Sequence, residues 1–468
     1  VTNPRVEGFF ETTAAGRHQP ERENPPGRQP MGGGARAFSR GVYHGRNVRA
    51  GIATGKLKVC LLALAAALLV VVVAGPPAIA GGGLPPPQSD SFYTYTASRP
   101  LGTIAPGTVL KRRSTHLAFG TTTTPIAAEQ LLYRTTDQLG EPSVTVTTVI
   151  APALTAVLPR IVGYLSFYDG LGSKCDPSFT IRGGQPDPTT AQQAQEEELL
   201  FSWYLAHGFI VTVPDFEGTG LHWMAGRESG YGTLDALRAT ESYLHAPAST
   251  PIGLSGYSGG AVAADWASEL APAYAPKLHL VGVAEAGIPA NYAHMFAYIN
   301  GTTVYSAAIP GVLLGLARAY HLDLAPYLSA YGARVVNEES SVCIDEVFSH
   351  YPGLTLQAMM KPQYRDFFNV PVFRQILADQ QMGTARTHPA EPLLMGVGNS
   401  DGNGDGVMSA ADVVALTHHY CREGVPVDFQ EYQGVSHEVA GAFFEPQTGA
   451  FFLARFAGAP FVSTCSSS

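Results

Sequence analysis

Charge is scarce in this sequence. Only 14% of its 468 residues are Asp, Glu, Lys or Arg, while 45% are hydrophobic, so the chain can bury a large core as a globular protein of one large domain or two. A basic surplus is missing. Asp and Glu outnumber Lys and Arg by 38 to 29, which argues against binding nucleic acid or an anionic membrane through charge. Internal repeats and coiled-coil heptads are absent as well. The zinc pattern H-E-x-x-H is absent at the one place that begins like it: in HEVAG, Gly441 stands where the second histidine would be, and a metalloprotease reading fails.

A fully membrane-spanning apolar run is also missing. The run from Cys60 to Ala74 is a little short for a bilayer and Pro76 stops it. With Lys56 and Lys58 ahead of it and a small-x-small site at Ala78-Ile79-Ala80, residues 56–80 have the layout of a cleavable secretory signal, with a membrane anchor as the alternative. Residues 1–55, rich in Gly, Pro and Arg, form a low-complexity tract expected to be disordered or untranslated, with Met31 or a later codon as the start. Cleavage after residue 80 removes ten Lys and Arg against four Asp and Glu, which takes the formal charge from −9 to −15. It also removes Cys60 and leaves Cys175, Cys343, Cys421 and Cys465. An even number in an exported chain implies two disulfides, for which three pairings are open.

What is present is a rhythm of strands and helices. LLYRTT and SVTVTTVIAP, joined at Leu139-Gly140, predict a hairpin; RIVGYLSF, GFIVTVPDF, PIGLSGYS, LHLVGVAEAG and PLLMGVGN predict buried strands. Between them AQQAQEEELLFSWYLAHG, YGTLDALRATESYLHA and AVAADWASELAPAYA predict helices. That alternation implies an α/β protein with a mostly parallel sheet. It occupies residues 81–287 and resumes over 391–468; the helical, irregular interval 288–390 is placed as an inserted cap over an active site.

The chemistry starts at GYSGG, Gly256 to Gly260. A G-x-S-x-G between an apolar strand and a helix turns the chain so sharply that the central Ser258 is strained and its hydroxyl exposed, with Gly256 and Gly260 leaving room. A serine needs a base, and the base an acid to orient it, which on such a sheet follow in the order Ser, Asp or Glu, His. Of the histidines after Ser258, His418 and His419 fall within a predicted helix, whereas His437 stands just beyond the strand VPVDFQEYQG, ahead of the helix EVAGAFF. The acid must then lie between PLLMGVGN and VPVDFQ, an interval that contains DGNGDGVMSAADVV, residues 401–414. There Asp401, Asn403, Asp405, Gly406 and Asp412 also match positions 1, 3, 5, 6 and 12 of a calcium loop, although position 12 is Asp and only one copy is present.

Over nearly all of the mature chain these blocks resemble the secretory lipases typified by Candida antarctica lipase A. The likeness rests on YRTT, SFYDGLGSKCDPSF, VPDFEG, AGRESGYGTLDALRA, GYSGGAVAADWASELAPAYAPKLHLVG and the terminal region with Asp405, Cys421 and His437. The resemblance implies an α/β-hydrolase fold, a triad of Ser258, Asp405 and His437, and oxyanion donors on the backbone N–H groups of Gly259 and Asp169. It further implies disulfides Cys175 with Cys343 and Cys421 with Cys465, a lipid or ester substrate, and no cofactor or metal. The glycine-rich DGNGDG departs from the plainer loop of fungal members, which leaves Asp401 as the rival to Asp405. The expected function is a secreted triacylglycerol lipase; the alternatives are a carboxylesterase for short or soluble esters and a non-catalytic calcium-dependent binding protein.

Overall fold

The computed structural model describes residues 83–152, 159–184 and 187–465. The N-terminal tract, the signal segment and Cys60 lie outside them. The strands are β1 (Val109–Phe119), β2 (Thr122–Thr136), β3 (Pro142–Ile150), β4 (Ile161–Leu165), β5 (Ile210–Pro214), β6 (Pro251–Tyr257), β7 (His279–Ala286), β8 (Leu393–Asn399) and β9 (Val427–Gln433). They form a single sheet in the order β1-β2-β3-β5-β4-β6-β7-β8-β9. β1, β2, β3 and β5 pair antiparallel, and every pairing from β5 through to β9 is parallel.

The central strands are short and apolar because both of their faces are covered. Ile161 and Leu165 of β4, with Val283 of β7 and Leu393 and Met395 of β8, face a core that takes in the helices Gly226–Leu244 and Gly259–Tyr274. The alternate positions, Val162, Tyr164, Ala284 and Leu394, face a second core built on the helices Pro188–Ala206 and His437–Phe456. A period of two thus divides each strand between two helical layers.

β1 is the strand that apolar patterning does not announce. It begins VLKRRSTHL, pairs with β2 alone at the sheet edge, and alternates half-buried with exposed positions until Leu117 and Ala118, which are buried. Charged residues on such an edge discourage pairing with another chain.

Between β7 and β8 the chain leaves the sheet and returns only after four helices of eight or more residues: Tyr292–Ile299, Ala308–Ala319, Ala330–Glu338 and Pro371–Asp379. Cys343 of this segment is bonded to Cys175 in the loop after β4, and Cys421 to Cys465, with Cα–Cα separations of 5.6 and 5.5 Å. The first link closes 168 residues, a loop long enough to stabilise the fold by a few kcal/mol in the chain-entropy account, about 3–5.

Candidate active site

Four loops at the carboxyl ends of parallel strands converge: those after β4, β6, β8 and β9. This is where open α/β sheets carry their sites. β6 passes into the helix Gly259–Tyr274 through one residue, Ser258, whose φ of 54° and ψ of −117° are a strained combination for a side-chain-bearing residue. The turn is tight enough to demand the flanking glycines: a Cβ on Gly256 would lie 2.2 Å from the Gly260 carbonyl oxygen, and one on Gly260 2.0 Å from that of Leu165.

His437 is the first residue of the helix after β9, and Asp405 lies in the loop after β8. The imidazole Nε2 is 2.9 Å from Ser258 Oγ and Nδ1 is 2.8 Å from Asp405 Oδ2. A carboxylate only accepts, so Nδ1 carries the proton and Nε2 is left to accept from the serine. The backbone reinforces the pairing, since His437 N–H donates to the Asp405 carbonyl at 2.9 Å and Tyr257 Oη–H donates to the His437 carbonyl. Burial alone would pull the His437 pKa down, but the charge and hydrogen bond of Asp405, with smaller effects of Glu438 and Asp169, outweigh it and hold the imidazolium above its ordinary value.

Asp405 is itself fully committed. Its Oδ1 accepts from Val407 N–H at 2.9 Å and Met408 N–H at 2.7 Å, leaving Oδ2 for the imidazole. Asp401, the rival acid, turns elsewhere: its Oδ1 accepts from the N–H groups of Asn403 and Gly404, and its Oδ2 from the Tyr298 hydroxyl. Asp412 pairs with His294. The three aspartates of the calcium-like pattern therefore spend their oxygens on different donors. Among the described residues the only convergence of three potential metal ligands is Asp187, Cys343 and Glu346, where the Cys343 sulfur is in a disulfide.

The loop after β4 brings Asp169 against Gly259, the residue after Ser258, where an added Cβ would fall 1.8 Å from Asp169 Oδ1. The backbone N–H groups of Asp169 and Gly259 have no acceptor among the described residues. Three ties hold this loop: Ile344 N–H donates to the Asp169 carbonyl at 2.9 Å, Leu171 N–H to the Val342 carbonyl at 2.9 Å, and Gly170 N–H to Glu217 Oε2 at 3.2 Å. Asp169 and Glu217 are buried side by side; burial is the main influence that raises both carboxyls, and the Asp169 charge pushes Glu217 up further. Glu217 lies in the quoted block VPDFEG, yet nothing in the sequence marked it as a support for the loop.

The fold is that of the α/β-hydrolases. A match to the secretory lipase family spans residues 185–464, well over half of the chain. The chain belongs to the secretory lipase family. A secreted triacylglycerol lipase of Malassezia furfur is 32% identical over 74% of this chain and 70% of its own length. A Mycobacterium tuberculosis protein named as a probable inactive lipase is 31% identical over 76% and 79%. The closed state of Candida antarctica lipase A superimposes with a TM-score of 0.75 at 28% identity, covering 82% of this chain and 89% of that one. No helix among the described residues is long and apolar enough to cross a membrane.

Buried carboxyls are a property of this family member well beyond the site. Burial, the largest influence in each case, raises Glu197 and Glu198 to about 8 and Glu391 to about 7, and it raises the Asp176 and Asp215 carboxyls, which lie close together. A carboxyl whose folded pKa exceeds its unfolded value of ~4 contributes stability that is complete below ~4 and is lost as pH rises through the folded value. Asp187 runs the other way: hydrogen bonds from Thr189 and Thr190 outweigh burial and hold it at about 2, so its contribution disappears only in acid. The raised groups dominate, and the melting temperature should fall steadily between pH 5 and pH 9. Thermal melts across that range at constant ionic strength test this; a flat or rising melting temperature contradicts it.

Proposed function

We propose that this protein is an exported serine ester hydrolase acting on lipid esters, foremost triacylglycerols, through an acyl-enzyme. The observation that carries the reading is the unbroken hydrogen-bond chain from Ser258 Oγ through His437 to Asp405. His437 Nε2 takes the hydroxyl proton as Oγ attacks the ester carbonyl, and the N–H groups of Gly259 and Asp169 receive the tetrahedral oxyanion. The same proton then goes to the departing alcohol, and a water activated by His437 releases the fatty acid. Asp405 keeps the imidazole in the one tautomer that can accept from serine and balances the imidazolium charge.

Export is supported by the two disulfides, which persist in oxidising compartments, and by relatives named as secreted. Residues 288–390 are the proposed cap. Phe296, Leu313, Phe367, Phe373 and Leu377, all from this segment, line a partly open apolar pocket of only about 10 Å³, space for about one water and not for an acyl chain. Accommodation of a long acyl group among these side chains requires the segment to move, as lids do.

Hydrolysis of a p-nitrophenyl ester series from acetate to palmitate, with and without chelator, tests the reading alongside fluorophosphonate labelling. Turnover that persists in chelator, with one label per chain, is expected. Turnover confined to the short esters would select the carboxylesterase alternative. An unlabelled, inert protein would place it with the relative named as inactive.

A further inference from the structure

We propose that Tyr298 and Tyr305, which enter from the segment between β7 and β8, are positioning residues that hold the acid and the base of the serine–histidine–aspartate chain in register. The proposal rests on the serine-hydrolase reading above and assigns the two tyrosines a part in it.

Asp405 sits in an excursion, Ser400 to Ser409, that belongs to no helix or strand. Its internal ties are local: Asp405 N–H donates to the Met408 carbonyl at 3.1 Å and Ser400 N–H to that of Gly404 at 2.6 Å. One side-chain hydroxyl from outside spans it. Tyr298 Oη–H donates to Asp401 Oδ2 at 2.9 Å, and the same oxygen accepts from Gly406 N–H at 3.2 Å. It thus grips the chain four residues before Asp405 and one residue after it. Gly406 has a φ of +103°, a conformation open to glycine with little strain, and the turn it makes is braced from within by Val407 and Met408 N–H on Asp405 Oδ1 and from outside the loop by the Tyr298 hydroxyl on Gly406 N–H. The oxygens of Asp401, which in the sequence look like calcium ligands, serve as the anchor for that hold.

Tyr305 reaches the other partner. Its hydroxyl donates to Glu438 Oε1 at 2.6 Å, and Ser436 Oγ donates to Glu438 Oε2 at 3.0 Å, so the residues on either side of His437 are linked through one carboxylate that the tyrosine fixes. The Tyr305 ring also covers Gly406, where an added Cβ would lie 3.1 Å from its Cε2, and packs edge-on against Phe348 with centroids 5.9 Å apart. A single side chain therefore touches the acid loop and the base loop together. Burial and the Asp401 carboxylate raise the Tyr298 phenol to about 12, which keeps it a donor throughout the working range.

Geometry is what the catalytic chain demands of these groups, because a misplacement of an ångström can cost up to about a hundredfold in rate. Water can replace part of a half-exposed hydrogen bond, so Tyr298→Phe is expected to lower kcat by about tenfold, with KM changed less than about twofold. The groups facing His437 are Asp405 from the loop after β8, Asp169 from the loop after β4, Ser258 and Tyr257 at the end of β6, and Glu438 on its own helix. Loosening Asp405 alone weakens the influence that raises the imidazolium, so the acid limb of kcat/KM should move to lower pH.

The test measures kcat per fluorophosphonate-titrated site, KM, the acid limb and the melting temperature for the parent, Tyr298→Phe, Tyr305→Phe and the double variant. Reduced kcat per titrated site with the limb displaced downward supports the proposal, as does a double variant less impaired than the product of the singles, since both act on one pair of loops. A kcat per titrated site and limb equal to the parent's in both variants, whether or not the melting temperature falls, overturns it and leaves the tyrosines a purely structural role. Tyr305→Phe decides the matter by itself should Tyr298→Phe fail to fold. An unlabelled parent would instead refute the serine-hydrolase reading, an outcome separate from these.

Discussion

Ser258→Ala is expected to lower kcat on any ester by about 10⁶-fold, the size of the loss when a serine nucleophile is removed from a comparable triad, while the melting temperature stays within a few degrees of the parent. The size follows from what is lost. Without Oγ there is no covalent intermediate, and the remaining rate would come from substrate binding and from the N–H groups of Asp169 and Gly259, which have no acceptor among the described residues. The small effect on stability follows from the elbow. The backbone of Ser258 donates to the Ala286 carbonyl at 2.9 Å and accepts from Ala261 N–H at 2.9 Å, bonds that alanine retains, and among the described residues its hydroxyl bonds only to His437. Alanine carries the same Cβ as serine, so the backbone strain at φ 54° passes to the variant almost unchanged. Loss of fluorophosphonate labelling should accompany the loss of turnover. A variant that still turns over esters at the parent rate would remove Ser258 from the mechanism and return GYSGG to an ordinary glycine-rich loop.

The parts of the fold that were legible are those where one local rule decides. Buried strands such as β4 and β6 are runs of apolar residues closed by glycine or a turn, and a strand running straight into a glycine-flanked serine has few other uses. β1 escaped because its Lys111, Arg112 and Arg113 lie on an edge with one neighbour, and only its end, at Leu117 and Ala118, is fully buried. The order of the sheet escaped too. β5 inserts between β3 and β4, and nothing in the residues of a strand buried on both faces records which neighbour it takes.

In the site, Ser258 and His437 were legible from chain order and strand ends, but the supports were not. Glu217 and Tyr298 act across 47 and 108 residues, by contacts that only the folded chain creates. The ambiguity of DGNGDG has the same origin. Alternating oxygens at a glycine turn suit an ion at their centre or a loop whose own N–H groups occupy them, and the sequence of the loop is the same in both cases. What separates the two is where the Asp405 oxygens point, and this gives the sharpest test of the whole assignment.

Asp405→Asn changes one atom and should lower kcat by about 10⁴-fold, as the equivalent change does in a serine protease. Here the direction of the amide is forced. Oδ1 faces two donors, the N–H groups of Val407 and Met408 at 2.9 and 2.7 Å, and an NH₂ there would meet both head-on. The amide oxygen must keep that place, so the nitrogen faces His437 Nδ1 at the 2.8 Å position of Oδ2. It can only donate. Nδ1 then has to accept, the imidazole proton moves to Nε2, and Nε2 can no longer take the proton of Ser258. The charge that raises the His437 pKa goes with it, so the residual activity should have its acid limb at lower pH than the parent's. Asp401→Asn and Asp412→Asn, whose carboxylates hold Tyr298 and His294 instead of the imidazole, should each cost less than about tenfold. A calcium site would behave differently: all three substitutions and a chelator would lower stability and activity together. Steady-state rates of the three variants on one soluble ester, each normalised to circular-dichroism-verified folded protein, separate the outcomes, and parent-level activity in Asp405→Asn would take the acid's role away from Asp405.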